Sequence, residues 1–102
     1  MNQAQMMQQV KKMQAEMARV QEELANATVT GTAAAGTVTV EMNGEHKCTK
    51  VTVKKEAVDP EDVETLEDLI VVAVNDAVTK VQELSSKKMG ALTGGMRIPG
   101  IF

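Results

Sequence analysis

Aromatic residues are almost missing from this 102-residue chain: it has no Trp, no Tyr and a single Phe, Phe102, at its last position. Single-stranded nucleic acids are held on aromatic faces that stack with bases, and quaternary cations in aromatic cages; neither platform is available inside the chain. Cysteine is as scarce. Cys48 alone excludes a disulfide framework, and with His46 as the one histidine a Cys/His zinc site lacks ligands. Long apolar runs are lacking too: the longest, Leu69 to Val74, is six residues, against the ~20 of a spanning helix. The Asn/Gln-rich start does not resemble a basic-then-apolar leader. A cytoplasmic protein with no membrane partner is the expectation. The formal charge of −3 argues, on its face, against nucleic acid.

Residues 2–27 are rich in Gln, Met, Ala, Glu and Lys, contain no Gly or Pro, and are expected to form a helix. Asn2 with Gln5 makes a capping box. Met6, Val10, Met13, Met17, Val20 and Leu24 alternate spacings of four and three, a heptad seam running about 27 Å. Such a seam calls for a second helix beside it, from another copy or, alternatively, from this chain's own second helix.

Residues 28–55 turn to Thr and Val and are expected to form a three-stranded antiparallel sheet. Thr28–Thr32 reads as a short strand. Val38, Val40 and Met42 alternate with Thr37, Thr39 and Glu41 ahead of Asn43-Gly44, a type I′ hairpin signal. A two-residue turn at 43–44 sets Val38 opposite Thr49 and Gly36 opposite Val51, with Val51 and Val53 sharing the face of Val38 and Val40. Asp59-Pro60 then opens a second helix, 59–89, with Asp59 as cap and Gly90 as stop. It is apolar on most sides at its centre, where Leu69, Val72, Val74 and Val78 widen the stripe of Leu66, Ile70, Ala73, Ala77 and Val81. Asn75-Asp76 interrupts it and is expected to hydrogen-bond across a dimer or to a strand end. Residues 90–102 are expected to form an irregular tail anchored by Ile98, Ile101 and Phe102.

A sheet of three strands covers one side of that helix. The uncovered apolar surface points to a two-fold homodimer, with Met6, Val10, Met13, Met17, Val20, Leu24, Leu69 and Val72 at its interface. The fold class is thus α+β: helix, sheet, long helix, in one domain.

The net charge hides a segregation. Residues 56–79 carry eight acids and no Lys or Arg, so the remainder of the chain is net +5. Salt screens charges over about 10 Å, so a distant acidic patch does not prevent a basic one from binding phosphate. The candidate phosphate contacts are Lys11, Lys12, Arg19, Lys87, Lys88 and Arg97. Of catalytic chemistry there is little trace. His46 and Cys48 read as strand surface, and the acids at 61–68 read as a solvated helix start complementing the dipole. No catalytic residue, metal ligand or cofactor is assigned.

The residues also carry a family resemblance. Met6–Gln14, Gly36–Val40 leading into Asn43-Gly44, Leu66–Ile70 with Ala73–Ala77, and Leu92–Gly95 with Pro99-Gly100 follow one another as in the YbaB/EbfC nucleoid-associated proteins, which the chain resembles over nearly its whole length. Thr32–Gly36 departs from the family in having fewer glycines. The resemblance implies an intertwined, tweezers-like homodimer with projecting helices, binding of double-stranded DNA, influence on DNA conformation and gene expression, and residence in the nucleoid. The alternative is a dimeric protein-interaction adaptor with incidental DNA binding.

Overall fold

The computed structural model describes residues 2–94, with side chains through Leu92. Helix α1 spans Gln3–Asn26, and strands β1, β2 and β3 span Thr28–Ala33, Val38–Asn43 and Cys48–Val53. A single 3₁₀ turn, Lys55–Ala57, leads towards helix α2, Val63–Gly94. The sheet is antiparallel in the order β1-β2-β3, and the fold is α+β.

Local chemistry explains the starts of both helices. The Asn2 side chain accepts the Gln5 N–H at 2.8 Å, and the Asn2 N–H reaches back to the Gln5 side chain, which completes the expected capping box. At α2 the cap is Asp62, whose carboxylate accepts from the Thr65 N–H and hydroxyl. Asp59 instead closes the preceding turn, accepting from the Glu61 N–H through its side chain and from the Asp62 N–H through its carbonyl. The helix therefore starts three residues after Pro60. It also runs through Gly90 to Gly94: a glycine weakens a helix by about 1 kcal/mol without ending it, and no left-handed φ occurs at Gly90. Residues 95–102 of the expected tail, including Arg97, Ile98, Ile101 and Phe102, lie outside the described residues.

The core lies between α2 and one face of β1 and β2. Val38, Val40, Ala73, Ala77 and Val81 are completely buried, with Ala33 and Met42 beside them. Small residues set the closeness of the layers. A Cβ on Gly31 would stand 2.3 Å from the Ala73 carbonyl oxygen and 2.4 Å from the Ala77 nitrogen, so β1 and α2 touch backbone to backbone. That proximity lets α2 side chains wrap the outer edge of β1. The Asp76 carboxylate accepts the Thr32 N–H at 2.9 Å, Lys80 Nζ donates to the Thr30 carbonyl at 2.8 Å, and the two side chains pair at 3.1 Å. Asp76 thus bonds within its own chain, to a strand, and blunts a free sheet edge.

The β2–β3 connection differs from the two-residue turn. Neither Asn43 nor Gly44 has positive φ; His46 does, at 63°. Asn43 holds a longer loop, its side-chain oxygen accepting from the Glu45 and Lys47 N–H groups and its own N–H donating to the Lys47 carbonyl. A bulge follows between Glu41 and Met42, and Val38 faces Val53 rather than Thr49. The slip is four residues. Because side chains alternate with period two, Val51 and Val53 still share the face of Val38 and Val40. Gly44 serves a different contact: its N–H donates to the Leu24 carbonyl at 2.8 Å, and a Cβ there would lie 2.2 Å from that oxygen. The end of α1 is seated on the hairpin loop by this contact.

Candidate nucleic-acid interface

Only the second half of α1 is covered. Val20 and Leu24 are buried within the single chain and Met13 is half-buried, whereas Met6 and Val10 are 55% and 51% exposed. Val20 and Leu24, expected at a dimer interface, are satisfied inside the chain: the end of α1 lies beside α2 and the hairpin. Leu69 packs partly against the core; Val72, at 53% exposure, does not. The first half of α1 projects, and the described chain measures 71 × 26 × 16 Å with a radius of gyration of 19.6 Å, against about 13 Å for a compact 100-residue domain. Between the arm and the end of α2 runs an apolar groove of about 870 Å³, lined by residues including Met6, Val10, Met13, Val20, Ala91 and Leu92.

The cations fall into two groups. Arg19 pairs with Glu16 at 3.1 Å and with Glu23 at 2.6 Å, and Lys88 pairs with Glu23 at 3.1 Å, tying α2 to α1. The hydrogen bond to Glu16, then the charge of Glu23, raises Arg19 above its ordinary value; the hydrogen bond from Lys88 holds Glu23 below its own. The Thr32 N–H, then Lys80, does the same for Asp76. By contrast, Lys11, Lys12 and Lys87 are exposed and make no ion pair or side-chain hydrogen bond among the described residues. Residues 2–15 hold Lys11 and Lys12 and no acid at all. The projecting arm is thus a cationic, Gln-rich rod.

Comparison with known proteins decides the family. Residues 1–96 match the YbaB/EbfC DNA-binding family. The chain belongs to that family. A protein named nucleoid-associated protein from Pelotomaculum thermopropionicum is 52% identical over 101 residues, covering 99% of this chain and 96% of its own. One of the same name from Chloroflexus aurantiacus is 50% identical over 102 residues, covering both chains completely. The crystal structure of an uncharacterized protein, HP0035, from Helicobacter pylori superposes with a TM-score of 0.79 at 21% identity, covering 92% of this chain and 99% of that one; at that identity the likeness speaks for the fold.

For this YbaB/EbfC chain the six expected phosphate contacts therefore separate. Lys11 and Lys12 sit on the arm, Lys87 is exposed on α2, Arg19 and Lys88 are already engaged by carboxylates, and Arg97 lies outside the described residues. Four further cations, Lys47, Lys50, Lys54 and Lys55, are exposed and unengaged among the described residues. Their charge is legible in the sequence, and the hairpin alternation alone already sets Lys50 and Lys54 with Thr on the polar face; no phosphate contact was expected of them, because which cations stay free of carboxylates depends on the fold. No group of three or more His, Cys, Asp or Glu among the described residues is placed to hold a metal ion, and no helix there is long and apolar enough to cross a membrane.

Proposed function

We propose that this chain binds double-stranded DNA as a homodimer, through backbone phosphates, and thereby influences DNA conformation, nucleoid organisation and gene expression. The observation that carries this reading is the acid-free projecting half of α1 in a member of a DNA-binding family. Phosphate contacts position a protein without reading sequence, and a chain without internal aromatics is suited to the duplex backbone rather than to stacked single strands. Dimerisation is supported by apolar surface away from the arm: Val71 and Val72 on α2 are 57% and 53% exposed, and Val51, on the α2 side of the sheet, is 48% exposed. Association there covers what one sheet and one helix leave open.

The test is a duplex titration across salt, with sedimentation to give the mass. Lys11, Lys12 and Lys87 from two chains neutralise roughly six phosphates, so log affinity falls against log salt with a slope of about −5. Flat binding refutes the mechanism, and a mass of one chain at micromolar concentration refutes the dimer. Lys87→Ala with Lys88→Ala weakens binding similarly for all duplex sequences; a loss confined to one sequence contradicts backbone binding. The apolar groove beside α1 favours a second reading, a dimeric adaptor for other proteins, and an absence of duplex binding at about 50 mM salt selects it.

A further inference from the structure

The register joins the polar face of the hairpin, which carries Lys50 and Lys54, to that of β1 in one surface. On the face of the sheet turned away from α2, β1 contributes Thr30 and Thr32, β2 contributes Thr39 and Glu41, and β3 contributes Lys50 and Thr52. Thr32, Thr39 and Thr52 are direct cross-strand neighbours and form one row; Thr30, Glu41 and Lys50 form the next. Lys54 follows β3 on the same side, because its N–H still pairs with the Thr37 carbonyl at 3.0 Å. Along the edge the order is therefore cation, hydroxyl, cation. Lys50 to Lys54 spans about 13 Å of strand, comparable with the length of duplex axis over which one DNA strand carries about four phosphates.

We infer that this threonine- and lysine-bearing face of the sheet is a second phosphate-contact surface for duplex DNA, separate from the α1 arm. The inference rests on DNA being the partner. Three observations support it. Lys50 and Lys54 are exposed, and neither is drawn into an ion pair among the described residues, whereas Arg19, Lys80 and Lys88 are. Hydroxyls of Thr and cations of Lys are among the groups that bind phosphate oxygens, and the face offers both on paired strands. The exposed apolar residue of β3, Val51, points to the other side of the sheet, so association through it leaves the polar face open. Glu41 is the acid within this face. It stands opposite Lys50 in the register yet forms no ion pair with it, so it opposes a bound phosphate chain and supplies a test of opposite sign.

The experiment is duplex binding by fluorescence anisotropy across salt for the full chain, Lys50→Ala/Lys54→Ala, Lys50→Arg/Lys54→Arg and Glu41→Gln, with thermal melts alongside. In the dimer, Lys50 and Lys54 add up to four phosphate contacts to the roughly six of Lys11, Lys12 and Lys87, so the slope of the full chain steepens from about −5 towards about −9, and Lys50→Ala/Lys54→Ala makes it shallower by about 3 to 4. The arginine pair retains the slope, and Glu41→Gln tightens binding. All three are surface changes, expected to leave melting within a degree or two. If the unaltered chain binds no duplex, the reading of DNA as partner fails, and the inference with it. If it binds and the alanine pair leaves slope and affinity unchanged, the inference alone is overturned. Tightening by Glu41→Gln without any effect of the lysines also overturns it. Lysines that matter for anionic vesicles and not for duplex assign the face to a lipid surface and overturn it as well.

Discussion

The body and the arm of this chain are built on opposite terms. In the body, β1 meets α2 at Gly31 with no room for a methyl group, and the Asp76–Lys80 pair latches the strand edge to the helix. In the first half of α1 the shape comes from helix propensity and a capping box, and its side chains face solvent. The contrast teaches where changes register. A body residue is constrained by its neighbours and acts on folding; an arm residue is constrained by almost nothing in the chain and acts on what the arm touches.

The strongest way to break this contrast is at Gly31. A Cβ there meets helix backbone rather than a side chain that can move, so Gly31→Ala lowers stability by ~3 kcal/mol or more, read as a fall in melting temperature. A neutral result would show that the layers are not in backbone contact. Next, Lys11→Ala with Lys12→Ala leaves melting unchanged and makes the salt slope of duplex binding shallower by about 3 to 4 for a dimer. A loss of stability instead would mean that the arm is part of the body.

A smaller effect separates the latches by pH. Glu23 and Asp76 are held below their ordinary values of 4.5 and 3.8. A carboxylate depressed by folding contributes stability that is fully present above its ordinary value and is lost as pH falls through the folded one. Melting temperature therefore drops as pH falls below about 4.5, and Asp76→Asn removes the lower part of that drop. Unchanged acid dependence in Asp76→Asn would show that the β1 latch carries no titrating stability. The smallest effect is in the β1–β2 turn, where Ala34 and Ala35 adopt φ of 52° and 55° ahead of Gly36 at 90°. Left-handed backbone disfavours a Cβ by about 1–2 kcal/mol, and glycine's added freedom in the unfolded chain returns part of that. Ala35→Gly is thus stabilising by ~0.5–1 kcal/mol in denaturant melts. The Thr32–Gly36 stretch, poorer in glycine than the family pattern, holds two of the three non-glycine residues with left-handed φ among the described residues, the third being His46.

Much of this fold was legible before any tertiary contact was known, and the reason is locality. The Asn2–Gln5 capping box, the change from helical to alternating periodicity at Thr28, and the shared face of Val38, Val40, Val51 and Val53 depend on residues near one another in the chain. The last survived even a wrong turn, because a register slip of four preserves facing. What did not survive depended on distance. Asn43-Gly44 carries the signature of a tight turn, but Gly44 is small because the Leu24 carbonyl lies against it, and Leu24 is twenty residues away. The spacing of Val20 and Leu24 suits a partner helix from another copy or from the same chain, and only the fold shows that both are buried within the chain.

The cations divide along the same line. Composition alone located the acidic stretch at 56–79 and the net basic remainder, since charge counts need no coordinates. Which of those cations stay available was decided by packing: Glu23 engages Arg19 and Lys88 and Asp76 engages Lys80, while Lys50 and Lys54, already placed on the polar face by strand alternation, form no ion pair among the described residues. The scarcity of aromatics, visible at once, by itself disfavoured a stacking platform and so pointed to the duplex. Only the tertiary structure could show where free charge stands, because an ion pair forms between side chains that folding, not sequence order, brings within reach.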